Sequence, residues 1–184
     1  MTLTETPICN FGEKAKSFDL LSTANKKISL NDIKGEKGTL IMFICNHCPY
    51  VKAVVKDIVK DAKYLETLGI KSVAIMSNDV KNYPEDSFEN MLSFSKLHNF
   101  SFPYLIDETQ KIAKEYGAVC TPDFFGYNKN LELQYRGRIR ELKNLKPVGK
   151  GNSDLRIAMQ LIATSGKGPK NQIPSMGCNI KWFK

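Results

Sequence analysis

Residues 40–44 read Leu-Ile-Met-Phe-Ile, apolar at every position, and run straight into Cys45-Asn-His-Cys48-Pro49. A strand that is apolar on both sides must be covered on both sides, as in the middle of a largely parallel sheet. The next segment places Val51, Val54, Val55, Ile58, Val59, Ala62 and Leu65 on one broad face, with lysines opposite. That spacing has the period of a helix. A buried strand that turns within a few residues into an amphipathic helix favours a layered α/β domain.

The rest of the chain keeps the alternation. Phe18–Leu21 and Lys27–Leu30 flank Thr23-Ala-Asn-Lys26 and predict a small hairpin before the core. Gly69 stands where a helix-ending glycine belongs. Val73–Met76 and Phe102–Ile106 read as strands, separated by a helix that Pro84 opens, with Phe88, Met91, Leu92 and Leu97 on its apolar side. Asp107 caps a short helix ending at Gly117. Residues 124–127 and 131–138 form a second hairpin around Asn128-Lys-Asn130, with a bulge at Gly137 and solvated arginines. Asn152 or Ser153 caps a last helix stopped by Gly166. Residues 167–184 are a polar tail whose Ile180, Trp182 and Phe183 pack back on the body. The expectation is a single domain over residues 1–184, with 167–184 as its packed tail.

The 184 residues suit one domain, and a chain of this size buries roughly 70% of its unfolded surface, so it needs no disulfide or metal to hold a core. The net charge is +8, from 27 Lys and Arg against 19 Asp and Glu. Most lysines alternate with acids, and the one cluster is Arg136, Arg138 and Arg140, so no nucleic-acid partner is expected. No apolar run reaches the ~20 residues of a membrane helix. The N-terminus shows neither a basic leader nor a long apolar segment, and the expected compartment is the cytoplasm.

Five cysteines, an odd number, do not suggest a disulfide framework. Cys45 and Cys48 bracket two residues at the mouth of the predicted helix. The unsatisfied N–H groups there favour an anion, and His47 adds charge when protonated. Each effect lowers a thiol from its free value near ~8.5. A stabilised thiolate makes the pair a better oxidant. A structural zinc would need two more ligands, with Cys120, Cys178, His47 and His98 as candidates, but no second Cys-x-x-Cys or His pair is present. The second signal is Val119-Cys-Thr-Pro122, where a proline just before a strand reads either as a cis bond in a tight turn or as a trans proline at a strand edge, and the upstream Cys-x-x-Cys favours cis.

With these residues placed, the chain resembles the thioredoxin superfamily. Within it, the similarity is to the peroxiredoxin-like branch of alkyl hydroperoxide reductase/thiol-specific antioxidant domain proteins. The resemblance rests on Phe43-Ile-Cys-Asn-His-Cys-Pro-Tyr-Val-Lys52, Tyr83-Pro-Glu-Asp-Ser-Phe88, Cys120-Thr-Pro-Asp-Phe124, Tyr135-Arg-Gly-Arg138 and Pro174-Ser-Met-Gly-Cys178. It implies a thioredoxin-like three-layer α/β/α sandwich with a central mixed sheet, an added N-terminal β-hairpin and an insertion around residues 84–98. Where thioredoxin keeps a buried carboxylate, this chain has Thr39, so proton handling falls to His47, water or a residue distant in sequence. Laid on the peroxiredoxin pattern Pro-x-x-x-Thr-x-x-Cys, Cys45 replaces the threonine and Ile41 the proline, and Arg138 is the candidate arginine.

The resemblance assigns Cys45, Cys48 and His47 to catalysis. Asn46, Thr121 and Pro122 are assigned to substrate binding, with the Thr121 backbone free to pair with an incoming chain. Cys120 and Cys178 are candidate additional redox thiols, and Cys178 could also pair with Cys9. The first reading is disulfide exchange in which Cys45 attacks and Cys48 releases the partner. The second is a thiol peroxidase with Cys48 peroxidatic and Cys45 resolving. The third is a thioredoxin-fold binding or soft-metal-handling protein. No cofactor or resident metal is expected. The partners implied are a disulfide-bearing protein, a small thiol or a peroxide, with a thioredoxin- or glutathione-type electron donor, for a monomer or weak homodimer.

Overall fold

Successive side chains of a strand point to opposite faces, and the apolar segment ahead of Cys45 fills both. In the computed structural model, which describes residues 2–184, Leu40, Met42 and Ile44 join one apolar cluster and Ile41 and Phe43 join another. In chain order the elements are β1 (Leu3–Glu5), β2 (Asp19–Ser22), β3 (Lys27–Ser29), β4 (Gly38–Phe43), α1 (Pro49–Thr67), β5 (Ile70–Met76), α2 (Phe88–Leu97), β6 (Tyr104–Ile106), α3 (Lys111–Tyr116), β7 (Cys120–Thr121), β8 (Asp123–Asn128), β9 (Leu133–Tyr135), β10 (Leu142–Lys143), β11 (Lys146–Pro147), α4 (Asp154–Ser165) and β12 (Met176–Asn179).

The main sheet has the order β3-β2-β6-β5-β4-β8-β9. It is mixed: β4, β5 and β6 run parallel, while β8 pairs antiparallel with β4, and β2 with β6. Residues of α1, α2 and α4 lie in the cluster on one face, and Ile112, Ala113 and Tyr116 of α3 lie in the cluster on the other. This is the thioredoxin-like three-layer sandwich, with the β2–β3 hairpin added at one edge.

Helix α1 buries Val51, Val54, Val55, Ile58, Ala62 and Leu65, each contributing about 1.5–3 kcal/mol of hydrophobic stabilisation except the smaller alanine. It ends at Gly69, whose φ of +79° a side-chain-bearing residue rarely adopts. The Ser153 side chain caps α4 by accepting from the Arg156 N–H, and it also donates to Asp61 of α1, tying the two helices together.

Several expectations need correction. Pro84 opens a 3₁₀ turn over Pro84–Asp86, and Ser87 is the cap of α2. Phe94 rather than Leu97 is buried there; Leu97 is 74% exposed, because in a helix of 3.6 residues per turn it falls on the side opposite Phe88. Asp107 lies ahead of the Gln110 cap of α3, yet its carboxylate accepts from the Ile112 and Ala113 N–H groups. The sheet irregularity falls between Gly126 and Tyr127, not at Gly137. In the tail, β12 pairs with β1 and β7 in a second, three-stranded sheet. Ile180 is buried, whereas Trp182 and Phe183 remain partly exposed.

The arginine cluster is not solvated. Arg136 is buried against Asp123 at 3.0 Å, donates to the Gly117 carbonyl at 2.7 Å and lies over the Phe125 ring. Arg138 pairs with Asp154 and Glu141, and Arg140 with Asp57. Burial pushes the Asp123 carboxyl up to about 6 despite the pull of Arg136. Arg136→Met should therefore destabilise the fold by about 3 kcal/mol, because an unpaired buried carboxylate is left behind, and replacing both partners by apolar residues should recover most of the loss. Urea unfolding measures both; an unchanged midpoint for the single variant would contradict the pairing.

Candidate active site

Strand β4 ends at Phe43, and the chain reaches α1 through Cys45, Asn46, His47 and Cys48. Cys48 is the N-cap, in extended conformation, with Pro49 as the first helical residue. Proline suits that place because no N–H is needed there. Cys45 and Cys48 are free thiols, 1% and 0% exposed.

Three elements close over the two sulfurs. The first is the Thr121–Pro122 turn, whose peptide bond is cis as the sequence suggested. Thr121 Oγ1 lies 3.4 Å from Cys45 Sγ, and the Thr121 carbonyl oxygen 3.1 Å from Cys48 Sγ. The second is β12, which brings Cys178 Sγ to 3.1 Å from Cys48 Sγ. The third is the 3₁₀ turn carrying Asp86, fully buried. Asp86 accepts from the Asn46 N–H at 2.8 Å, the His47 N–H at 3.2 Å and Asn78 Nδ2 at 2.8 Å, and it lies 2.6 Å from His47 Nδ1. His47 Nδ1 is 3.9 Å from Cys45 Sγ, and its ring stacks on Tyr83. A cleft of about 350 Å³ opens beside it, lined by Thr2, His47, Tyr83, Glu85, Asn179 and Lys181.

The sulfurs share charge unequally. Cys48 is pushed down to about 5, first by the hydrogen bond Cys45 donates to it. Burial opposes this, while the Thr121 hydroxyl, the Cys178 thiol and the Val51 N–H at the helix mouth add to it. The Thr121 carbonyl favours a protonated sulfur, but it is outweighed by this larger set of donors. Cys45 is held well up because it donates to Cys48, is buried and faces Asp86. Cys178 is pushed up to about 12, chiefly by burial and then by its bond to Cys48. The charge therefore favours Cys48, the attacking thiol of the second reading from sequence, over Cys45, that of the first. The hydrogen bond to Asp86 raises His47 against the effect of burial. Burial alone would raise Asp86, but bonds from His47, Asn78 and the Asn46 N–H hold it below the usual carboxylate range.

Other sequence assignments change. Asn46 spends its side chain internally, donating to the Glu85 carbonyl and accepting from the Tyr104 hydroxyl, so it ties the turn together rather than facing a substrate. The Thr121 backbone is not open to an incoming chain, because β12 pairs with β7 there, Cys178 opposite Thr121. Cys120 turns its sulfur to the Pro122 carbonyl at 3.8 Å, and burial holds its thiol well up. Cys9 lies beside Arg136 and Gln172, while Cys178 lies at Cys48, so those two do not pair. Asp86 is the functional residue that the sequence leaves without a role: it stands in Tyr83-Pro-Glu-Asp86, where nothing nearby in the chain marks its carboxylate. Cys45, His47 and Asp86 put sulfur, nitrogen and oxygen donors within 4.8 Å of one another. A metal held there would have to displace the hydrogen bonds that already satisfy Asp86.

The AhpC/TSA family model matches residues 11–142. The chain belongs to the AhpC/TSA family. Two solved structures align along nearly all of it. An uncharacterised conserved protein from Geobacillus kaustophilus is 39% identical with a TM-score of 0.94, covering 100% of this chain and 97% of its own. A hypothetical protein from Sinorhizobium meliloti is 35% identical with a TM-score of 0.91, covering 98% of each. The thioredoxin domain of a thiol-disulfide oxidoreductase from Bacteroides vulgatus shares the fold at 15% identity and a TM-score of 0.59, over 73% of this chain and 89% of its own. No curated protein matches. The family and its thiol site make the protein an oxidoreductase that works through cysteine sulfur.

The His47–Asp86 pair should show in stability against pH. His47, raised in the folded state, contributes fully below its unfolded value of about 6.5, and this is lost as pH rises through the raised value. Asp86, depressed, contributes above its unfolded value of about 3.9, and this is lost as pH falls through the lower one. Asp86→Asn should cost about 3 kcal/mol between these limits, less at either end, and should return the His47 titration followed by NMR towards ~6.5. A His47 midpoint unmoved by the substitution would contradict the pairing.

Proposed function

We propose that the protein reduces or exchanges disulfides through Cys45 and Cys48, with Cys48 as nucleophile. The observation that carries this is the place of Cys48, buried at the N-cap of α1 with its sulfur 3.1 Å from Cys178 Sγ; its thiol is pushed down to about 5 there, the Cys45 thiol being the largest cause. Cys48 thiolate attacks one sulfur of a substrate disulfide, forms a mixed disulfide and expels one thiolate. Cys45 then attacks Cys48 and expels the second. Two electrons pass from the two cysteines to the substrate, and the Cys45 proton ends on a departing thiolate, with His47 placed to relay it. One dithiol of thioredoxin type, or two monothiols of glutathione type, returns the pair to the reduced state and is oxidised to a disulfide. Because β12 fills the edge where an extended chain would pair, the reading favours low-molecular-weight disulfides approaching through the His47 cleft.

A second reading, thiol peroxidase, is favoured by the position of Cys48 ahead of Pro49 at the helix start. Cys48 would be oxidised to a sulfenic acid while the peroxide is reduced to an alcohol or water. Cys45 would then condense with it and release water. Arg138, its candidate activating arginine, is instead bonded to Asp154 and Glu141.

Reduced protein given bis(2-hydroxyethyl) disulfide should release two thiols per chain and close a disulfide at Cys48, while Cys48→Ser should lose at least 100-fold in rate. A Cys48→Ser variant as fast as wild type would overturn the assignment. Stopped-flow with hydrogen peroxide separates the readings: the exchange reading expects a rate no faster than a free thiolate, and a much faster rate selects the peroxidase.

A further inference from the structure

The site holds a thiol that the proposed exchange does not use. Cys178 Sγ stands 3.1 Å from Cys48 Sγ, inside ordinary sulfur–sulfur contact, and arrives from the far end of the chain. It is held there by β12. Cys178 pairs with Thr121 on one side and Leu3 on the other. Ser175 Oγ donates to the Pro122 carbonyl at 2.7 Å, and beyond the strand the Lys181 N–H donates to Asn78 Oδ1 at 2.8 Å. Gly177 makes the approach possible: a Cβ there would lie 2.0 Å from the Thr121 carbonyl oxygen. Backbone meets backbone at that point, which only glycine permits. The strand therefore lies along the cis turn as an extended peptide partner would, with its cysteine against the nucleophile.

We propose that Cys178 is a third redox thiol of this site, closing a disulfide with Cys48 in which β12 stands in the place of a bound substrate strand. The inference rests on the reading of Cys48 as nucleophile. Cys48 thiolate attacks a substrate disulfide and expels one thiolate. Cys178 attacks the Cys48 sulfur of the mixed disulfide, a Cys48–Cys178 bond forms, and the second thiolate leaves with the proton from Cys178. Cys48 and Cys178 together lose two electrons and the substrate disulfide gains them. A dithiol reductant reverses the step. Cys45 and Cys178 thus flank one nucleophile as alternative resolving thiols, and the second of these bonds fastens the tail over the Thr121 edge.

The test uses the full chain with Cys45→Ser, with Cys45→Ser/Cys178→Ser, and bis(2-hydroxyethyl) disulfide as probe. After alkylation of remaining thiols, peptides are mapped without reduction. Cys45→Ser should still release two thiols per chain and yield a linked Cys48–Cys178 peptide. The double variant should stop after one thiol, with the probe retained on Cys48. If Cys45→Ser stops after one thiol while wild type releases two, the inference is overturned and the exchange reading stands. If wild type itself releases none, both fall. Gly177→Ala is the second arm: it should abolish the Cys48–Cys178 peptide and keep the Cys45–Cys48 one, with thermal melting checking that it folds. A Cys48–Cys178 yield equal to wild type in that variant would contradict the role given to β12.

Discussion

The pull of a buried sulfur, Cys48, towards its anion between two other thiols is the constraint on which the site depends. An ion this deep is costly unless donors surround it. Here they come from the Cys45 and Cys178 thiols, the Thr121 hydroxyl and the first turn of α1. Remove the helix mouth and the anion loses its local field; remove the flanking thiols and it loses its nearest donors. Buried strand, N-cap cysteine, cis turn and tail strand are arranged around that requirement; the bond to Cys48 leads in holding Cys45 protonated, while for Cys178 burial leads and the bond to Cys48 adds to it.

A second buried charge supports the first. Asp86 is satisfied by two backbone N–H groups, an amide and an imidazole, and so fixes the Cys-Asn-His-Cys turn from outside. It faces Cys45, where its charge opposes a thiolate. The same carboxylate that orients His47 therefore pushes the anion away from Cys45 and towards the helix. β12 brings Cys178 over Cys48, and both active-site cysteines sit below the surface, with a cleft opening beside His47.

What the sequence made legible was local. The apolar run at Leu40–Ile44, the period of α1, the cysteine spacing and the proline after Thr121 each report on a few neighbouring residues, and the fold they suggest is the one found. What it left unread depends on contacts across the chain. Asp86 and Cys178 carry no periodic signal, and only the folded chain brings them to Cys45 and Cys48. Asn46 looks like an active-site polar residue until Tyr104 and Glu85 take up its amide. Arg136 looks like surface charge because its partner, Asp123, lies on the next strand of the sheet. Thr121 looks available until β12 claims its backbone.

The placement of the anion is tested most directly by following thiolate absorbance against pH in reduced wild type, Cys45→Ser and Cys48→Ser. The account predicts one thiol ionising far below a free cysteine in wild type, absent from Cys48→Ser, and still present but shifted upward in Cys45→Ser, which has lost a donor. A low-titrating thiol that survives in Cys48→Ser, or wild-type thiols that all titrate like free cysteine, would contradict it.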